Sequence, residues 1–127
     1  LVSTARDYSR FCQMILNGGQ LDGNRIIKQA TVQSMTRNHL PESAIPIALG
    51  APRPGVGFGL GFSVIVKQPE PSSNLRLGEV GWGGAASTHF WISKKDELAV
   101  VVLSQRSPFT SQLEKAIKPL VYDAILE

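Results

Sequence analysis

Leu98-Ala99-Val100-Val101-Val102-Leu103 is apolar at every position. Successive side chains of a strand point to opposite faces, so an unbroken apolar strand needs cover on both sides. The run therefore predicts a sheet with helices on each face. A helix is visible near the start. Ala5, Tyr8, Phe11, Cys12, Ile15 and Leu16 recur at helical spacing. Thr4 with Asp7 has capping-box spacing, Asp standing in for Glu, and Asn17-Gly18-Gly19 supplies a stop. This predicts a helix over 5–17. One of the two covering layers must include the element after 98–103, which carries the apolar stripe Leu113, Ala116, Ile117, Leu120, Val121 and Ala124. Ser107-Pro108 is a suitable start, giving a helix over 108–126 with a kink near Lys115 imposed by Pro119.

Between these lie the remaining strands. Leu21-Asp22-Gly23-Asn24-Arg25 reads as a turn, and 30–37 as a short helix burying Val32 and Met35. Residues 38–54 carry several prolines and no period, the pattern of a long loop. Gly55 to Phe62 alternates strictly between glycine and a larger side chain. One face would carry Val56, Phe58, Leu60 and Phe62, the other only glycine, and a strand is expected over 56–66. The bare face invites close packing, by a helix or loop of the same protein in the simpler reading. The run is no dinucleotide fingerprint, because its third glycine is missing. A polar connection over 68–74 leads to a return strand over 75–82. Strands over 88–92 and 98–103 follow. The fold class is α/β in the α+β sense: a mainly antiparallel sheet flanked by helices, in one unit spanning 1–127.

The chain has 127 residues, 43% hydrophobic and 18% charged, the balance of a globular domain. No run approaches the roughly 20 apolar residues of a membrane span. The net charge of +3 is scattered, with no Lys/Arg run to form a nucleic-acid footprint. The single Cys12 excludes an internal disulfide and a cysteine zinc cluster, and its place on an apolar helical face makes it a buried structural thiol. His39 and His89 are far apart, and His39 reads as a solvated or capping loop residue, so no metal site is expected. No organic cofactor is implied. The chain opens on Leu1 and enters a helix signal almost at once, so it reads as a piece of a longer protein.

The stretch of most chemical interest is Gly78-Glu79-Val80-Gly81-Trp82-Gly83-Gly84-Ala85-Ala86-Ser87-Thr88. Glycine inside a strand leaves no side chain to pack and is tolerated where a backbone or ligand must come close. Behind Trp82, the small residues Gly83, Gly84, Ala85 and Ala86 leave backbone N–H groups uncovered. That suits a strand edge lining a pocket. A bend or bulge in an ordinary sheet fits the same residues.

The order of these parts resembles the C-terminal part of a serine β-lactamase-like hydrolase. The resemblance rests on Ser3 to Phe11, Gly57-Phe58-Gly59-Leu60-Gly61-Phe62, Gly81-Trp82-Gly83-Gly84-Ala85, the following two-strand hairpin and the terminal helix. It covers essentially the whole chain. The family includes class C β-lactamases, penicillin-binding-protein-type peptidases and esterases. Its chemistry uses Ser and Lys of an S-x-x-K motif, a second motif on Ser or Tyr, and a third on a sheet strand, commonly K-T-G. Trp82-Gly83-Gly84 stands at the third position. No Lys of this chain has Ser three residues before it, so the nucleophile and base are expected upstream, in a longer parent.

The resemblance implies that the Ala85 N–H is one of two oxyanion-hole donors and that Trp82, Gly83 and Gly84 contact the substrate. Trp in place of Lys offers an apolar face and one N–H rather than a cation for a β-lactam carboxylate. The implied partner is a small-molecule ester, amide or β-lactam. The alternative is a non-catalytic binding or interaction module that keeps the fold. Cut from its parent, the chain is expected to be inactive and to form a homo-oligomer through apolar surface left uncovered.

Overall fold

The computed structural model describes residues 2–49, 51–68, 70 and 75–125. Helix α1 spans Ala5–Leu16, capped as its sequence predicts: the Thr4 hydroxyl oxygen accepts from the Asp7 N–H at 3.1 Å. Asn17-Gly18-Gly19 ends it, with Gly18 and Gly19 at positive φ. The turn expected at Leu21–Arg25 is a small hairpin of β1 (Gln20–Leu21) and β2 (Asn24–Arg25), closed by Asp22 and Gly23 in left-handed conformations. Helix α2 is Gln29–Met35. The expected loop over 38–54 contains a 3-10 turn (Glu42–Ala44) and a short antiparallel pair, β3 (Ala48–Leu49) with β4 (Ala51–Pro52).

The main sheet is antiparallel, five strands in sequential order: β5 (Val56–Phe58), β6 (Ser63–Ile65), β7 (Val80–Gly83), β8 (His89–Ser93) and β9 (Leu98–Val102). The single strand expected over 56–66 is instead the hairpin β5–β6. The chain reverses at Leu60-Gly61, where Gly61 has φ +87° and Leu60 points outward, half exposed. The alternation that suggested one strand supplied the glycine that a tight turn needs. The bare glycine face is partly filled by the chain itself, by the Asn38 side chain at Gly57 and by backbone at Gly59. A Cβ on Gly59 would collide with the Met35 carbonyl, and the Leu60 N–H donates to that carbonyl at 3.0 Å. The return strand expected over 75–82 is shorter, beginning at Val80; residues 71–74 lie outside those described.

Both faces of the sheet are covered. Val80, Phe90 and Ile92 face α1 and join Cys12, Met14, Ile15, Val32, Phe62 and Val64 in the larger core. Each large side chain fully buried there, such as Ile15, contributes roughly 1.5–3 kcal/mol. Tyr8 meets Phe90 edge-on at 5.0 Å, and Phe11 stacks on Phe62 at 6.2 Å. The apolar run of β9 divides as its two-sided pattern requires: Ala99 and Val101 pack toward α1, while Leu98, Val100 and Val102 pack with Trp91 and Tyr122.

The second cover is α3, Gln112–Asp123, which starts four residues later than Ser107-Pro108 suggested. The segment before it is engaged elsewhere: the Thr110 N–H donates to the Ser87 hydroxyl at 3.0 Å, and the Phe109 ring lies 5.4 Å from His89. Pro119 lies inside α3, so the Lys115 carbonyl receives no N–H from that position. The face of α3 that meets the sheet also differs from the expected apolar stripe. Lys118 and Tyr122 are its buried residues, Ile117 and Val121 are half-buried, and Leu120 is 67% exposed. A buried acid ahead of β7 accounts for this orientation.

Candidate functional site

That acid is Glu79, 3% exposed, immediately before β7. In β7 the side chains alternate: Val80 and Trp82 face α1, leaving Glu79, Gly81 and Gly83 toward α3. On β8, the residues facing α3 are His89, Trp91 and Ser93, with Gly81 opposite Trp91 and Gly83 opposite His89. Helix α3 presents Glu114, Lys118 and Tyr122 at i, i+4 and i+8. Three rungs result. Tyr122 donates to Glu79 at 2.5 Å. Lys118 pairs with Glu79, lies 3.6 Å from Glu114, and sits 4.9 Å over the Trp91 ring. His89 Nδ1 lies 3.1 Å from Glu114, and Nε2 lies 3.1 Å from the Thr110 carbonyl.

Burial pushes the Glu79 carboxyl above the usual glutamate range, an effect that Lys118 and the Tyr122 hydroxyl partly oppose. Burial, then the neighbouring Glu79, raises the Tyr122 phenol. Trp91 Nε1 is buried with no hydrogen-bond partner among the described residues. None of these five polar residues of the ladder (Glu79, His89, Glu114, Lys118, Tyr122) stood out in the sequence. The available signal was the spacing of Glu114, Lys118 and Tyr122 within an otherwise apolar helix.

β7 is not an edge strand throughout. Over Val80 and Gly81 it lies between β6 and β8, and the Ser63 hydroxyl donates to the Gly81 carbonyl at 2.7 Å. Pairing with β6 stops there, so the half of β7 carrying Trp82 and Gly83 extends past β6. Trp82 is half-buried, edge-on to Phe58 at 5.1 Å and packed on the α1-side core. Gly83 has His89 and Phe109 beneath it: a Cβ there would stand 3.1 Å from His89 Nδ1 and 3.1 Å from a Phe109 ring carbon. A Cβ on Gly84 would stand 2.5 Å from the Thr88 hydroxyl.

The loop after Gly84 is a three-residue hairpin connection. The Gly84 N–H donates to the Thr88 carbonyl at 2.8 Å, the Ser87 N–H to the Gly84 carbonyl at 2.9 Å, and Ser87 has φ +60°. Its far side is pinned. The Ser104 hydroxyl donates to the Ala86 and Ser87 carbonyls, the Arg106 N–H to the Ala86 carbonyl, and the buried Ser87 hydroxyl to the Arg106 carbonyl. Ala85 is exposed, and its N–H has no acceptor among the described residues. Ala85 follows Gly84 as the first residue of this turn, just past the end of β7. Groups of three or more His, Cys, Asp or Glu placed to hold a metal ion are absent among the described residues.

The sequence model described as Beta-lactamase matches residues 1–120. "Protein Rv1367c" of Mycobacterium tuberculosis is 37% identical over 114 residues, covering 85% of this chain and 28% of that protein. The chain therefore spans a little over a quarter of the length of the curated relatives it matches. Among solved structures, "EstCE1, a hydrolase with promiscuous acyltransferase activity" superposes with a TM-score of 0.77 at 21% identity, over 94% of this chain and 30% of that one. A mutant of simvastatin synthase from Aspergillus terreus gives 0.71 at 23% identity, over 96% and 34%. A penicillin-binding protein homologue from Caulobacter crescentus gives 0.61 at 20% identity, over 81% and 26%. These identities speak for the fold.

Proposed function

The chain belongs to the Beta-lactamase family, a family of hydrolase and acyltransferase type, and from that premise we propose that it is the C-terminal region of a serine hydrolase. Its part is to supply the substrate-flanking strand and one oxyanion-hole donor, while Ser and Lys of S-x-x-K come from upstream sequence. The observation that carries this reading is that Ala85 is exposed and its N–H unpartnered among the described residues, in the turn that follows β7. Acyl transfer develops negative charge on the carbonyl oxygen, and a fixed N–H aimed at it lowers the barrier by about 3 kcal/mol. The bonds that pin Ala86 and Ser87 hold the loop, so the donor needs little reorganisation as charge forms.

Because pairing with β6 ends at Gly81, a substrate can lie along the open half of β7 at Gly83 and Gly84, with Trp82 offering an indole where K-T-G relatives offer a cation. This favours small-molecule esters or amides over β-lactams recognised through a carboxylate. Turnover of p-nitrophenyl esters by the full-length protein, abolished by replacing the upstream Ser, tests the assignment. Ligand binding without any turnover would point to a non-catalytic module on the same fold. The 127-residue chain alone, lacking S-x-x-K, is expected to hydrolyse neither p-nitrophenyl esters nor a chromogenic cephalosporin. Alone it is also expected to form homo-oligomers, through the open edge of β9 and through Leu103, Phe109 and Leu120, each more than half exposed. Light scattering during gel filtration reads that out.

A further inference from the structure

We infer that His89 is a positioning residue for acyl transfer, acting through the backbone of Gly83 to Ala85. The inference rests on the oxyanion reading above. His89 and Gly83 face each other across β7 and β8 at the last paired position before the loop. Gly83 has no side chain, so the imbedded imidazole occupies the space beneath it, together with the Phe109 ring. The floor under the open half of β7 is therefore a polar side chain, 5% exposed, whose height is set by what holds it.

Both ring nitrogens are held. A carbonyl can only accept, so Nε2 is assigned a proton that it donates to Thr110. Nδ1 lies 3.1 Å from a Glu114 carboxylate oxygen. Glu114 in turn lies 3.6 Å from Lys118, which pairs with Glu79 at the other end of β7. Thr110 also donates its N–H to Ser87, the residue that closes the loop carrying Ala85. The imidazole thus touches three fixed points: Gly83 above, α3 through Glu114, and the Ser87 anchor through Thr110. Tilting or removing it shifts the strand that carries the donor, without removing any group that contacts substrate.

A donor that acts on developing charge shows its displacement in kcat more than in KM. The test uses the full-length protein and p-nitrophenyl butyrate, with the active fraction counted by titration with a fluorophosphonate. His89→Ala is expected to lower kcat per titrated site about 10- to 100-fold with KM changed less than about threefold. His89→Gln, which can still donate to Thr110, is expected to recover most of the loss. Ala85→Pro is measured alongside. Native kcat per titrated site in His89→Ala, with Ala85→Pro impaired, overturns the inference and leaves the oxyanion reading standing. Native turnover in folded Ala85→Pro overturns that reading and the inference with it, as does a wild-type protein that neither turns over ester nor takes the label. A loss in His89→Ala that appears only as a smaller titratable fraction also overturns the inference, since the role is then structural.

Discussion

Tyr122 in the last turn of α3 donates its hydroxyl to Glu79 ahead of β7 at 2.5 Å, and both side chains are buried. The bond ties the carboxyl end of the covering helix to the entry of the strand that carries the candidate site. With Lys118 on the other carboxylate oxygen, it forms a closed polar group in which each charge depends on the others.

Lys118→Met therefore leaves Glu79 and Glu114 without their shared cation. Breaking a buried pair in this way costs about 3–5 kcal/mol at pH 7. The pH dependence has a definite sign. Glu79 already binds its proton more tightly folded than unfolded, and loss of Lys118 raises that preference further. The folded state then holds more protons than the unfolded state between the ordinary glutamate value and the raised one, so stability falls as pH rises through that window. Urea denaturation at pH 5 and pH 7 is expected to show the variant regaining part of its loss at pH 5, relative to wild type. An equal deficit at both pH values would mean that Glu79 is not the group left exposed to the change.

Gly81→Ala places a Cβ against the Phe90 carbonyl and the Trp91 backbone of the neighbouring strand. Backbone in the middle of a sheet cannot swing aside as a side-chain end can. The expected loss is about 3 kcal/mol or more, read as a lower urea midpoint with unchanged slope. A variant as stable as wild type would contradict the close approach of β7 and β8 at that position.

Cys12 is fully buried, and burial pushes its thiol up to about 11. Ellman's reagent at pH 8 is expected to leave the folded chain nearly unlabelled over the time in which the urea-unfolded chain reacts completely. Equal rates would place Cys12 outside the α1-side core.

Much of the architecture was legible before any coordinates. The cap of α1 and the two-sided burial of β9 follow from spacing and apolar pattern alone. What failed shares one physical cause: local pattern does not report a long-range partner. The apolar stripe of α3 was misplaced because Glu79, 39 residues earlier in the chain than Lys118, draws the Lys118 and Tyr122 side of the helix inward. The glycine alternation before Phe62 fits a strand and a turn equally well, and only the Met35 carbonyl, packed where a Cβ would stand, settles which glycine serves which purpose. At the site, the small-residue cluster announced an accessible backbone. His89 did not announce itself, because a lone histidine acquires meaning only from Gly83, Glu114 and Thr110 around it.

Trp82→Lys in the full-length protein exchanges an indole packed edge-on against Phe58 for a cation at the same strand position. Affinity for a carboxylate-bearing β-lactam is expected to rise, measured by competition against an ester substrate, while ester turnover does not improve. Loss of the Phe58 contact is expected to lower stability by about 1–3 kcal/mol. Unchanged β-lactam affinity would remove Trp82 from the substrate surface.

The oxyanion role of Ala85 is tested most directly by turnover in Ala85→Pro, with Ala85→Ser as its control, in the full-length protein. Serine keeps the backbone N–H and is expected to retain most activity. Proline has none, and losing one oxyanion donor costs about 100- to 1000-fold in kcat. Circular dichroism and active-site titration establish that the proline variant is folded and still acylated. A folded, titratable Ala85→Pro protein with kcat reduced at least 100-fold is the result expected here; one with near-native kcat would contradict the account.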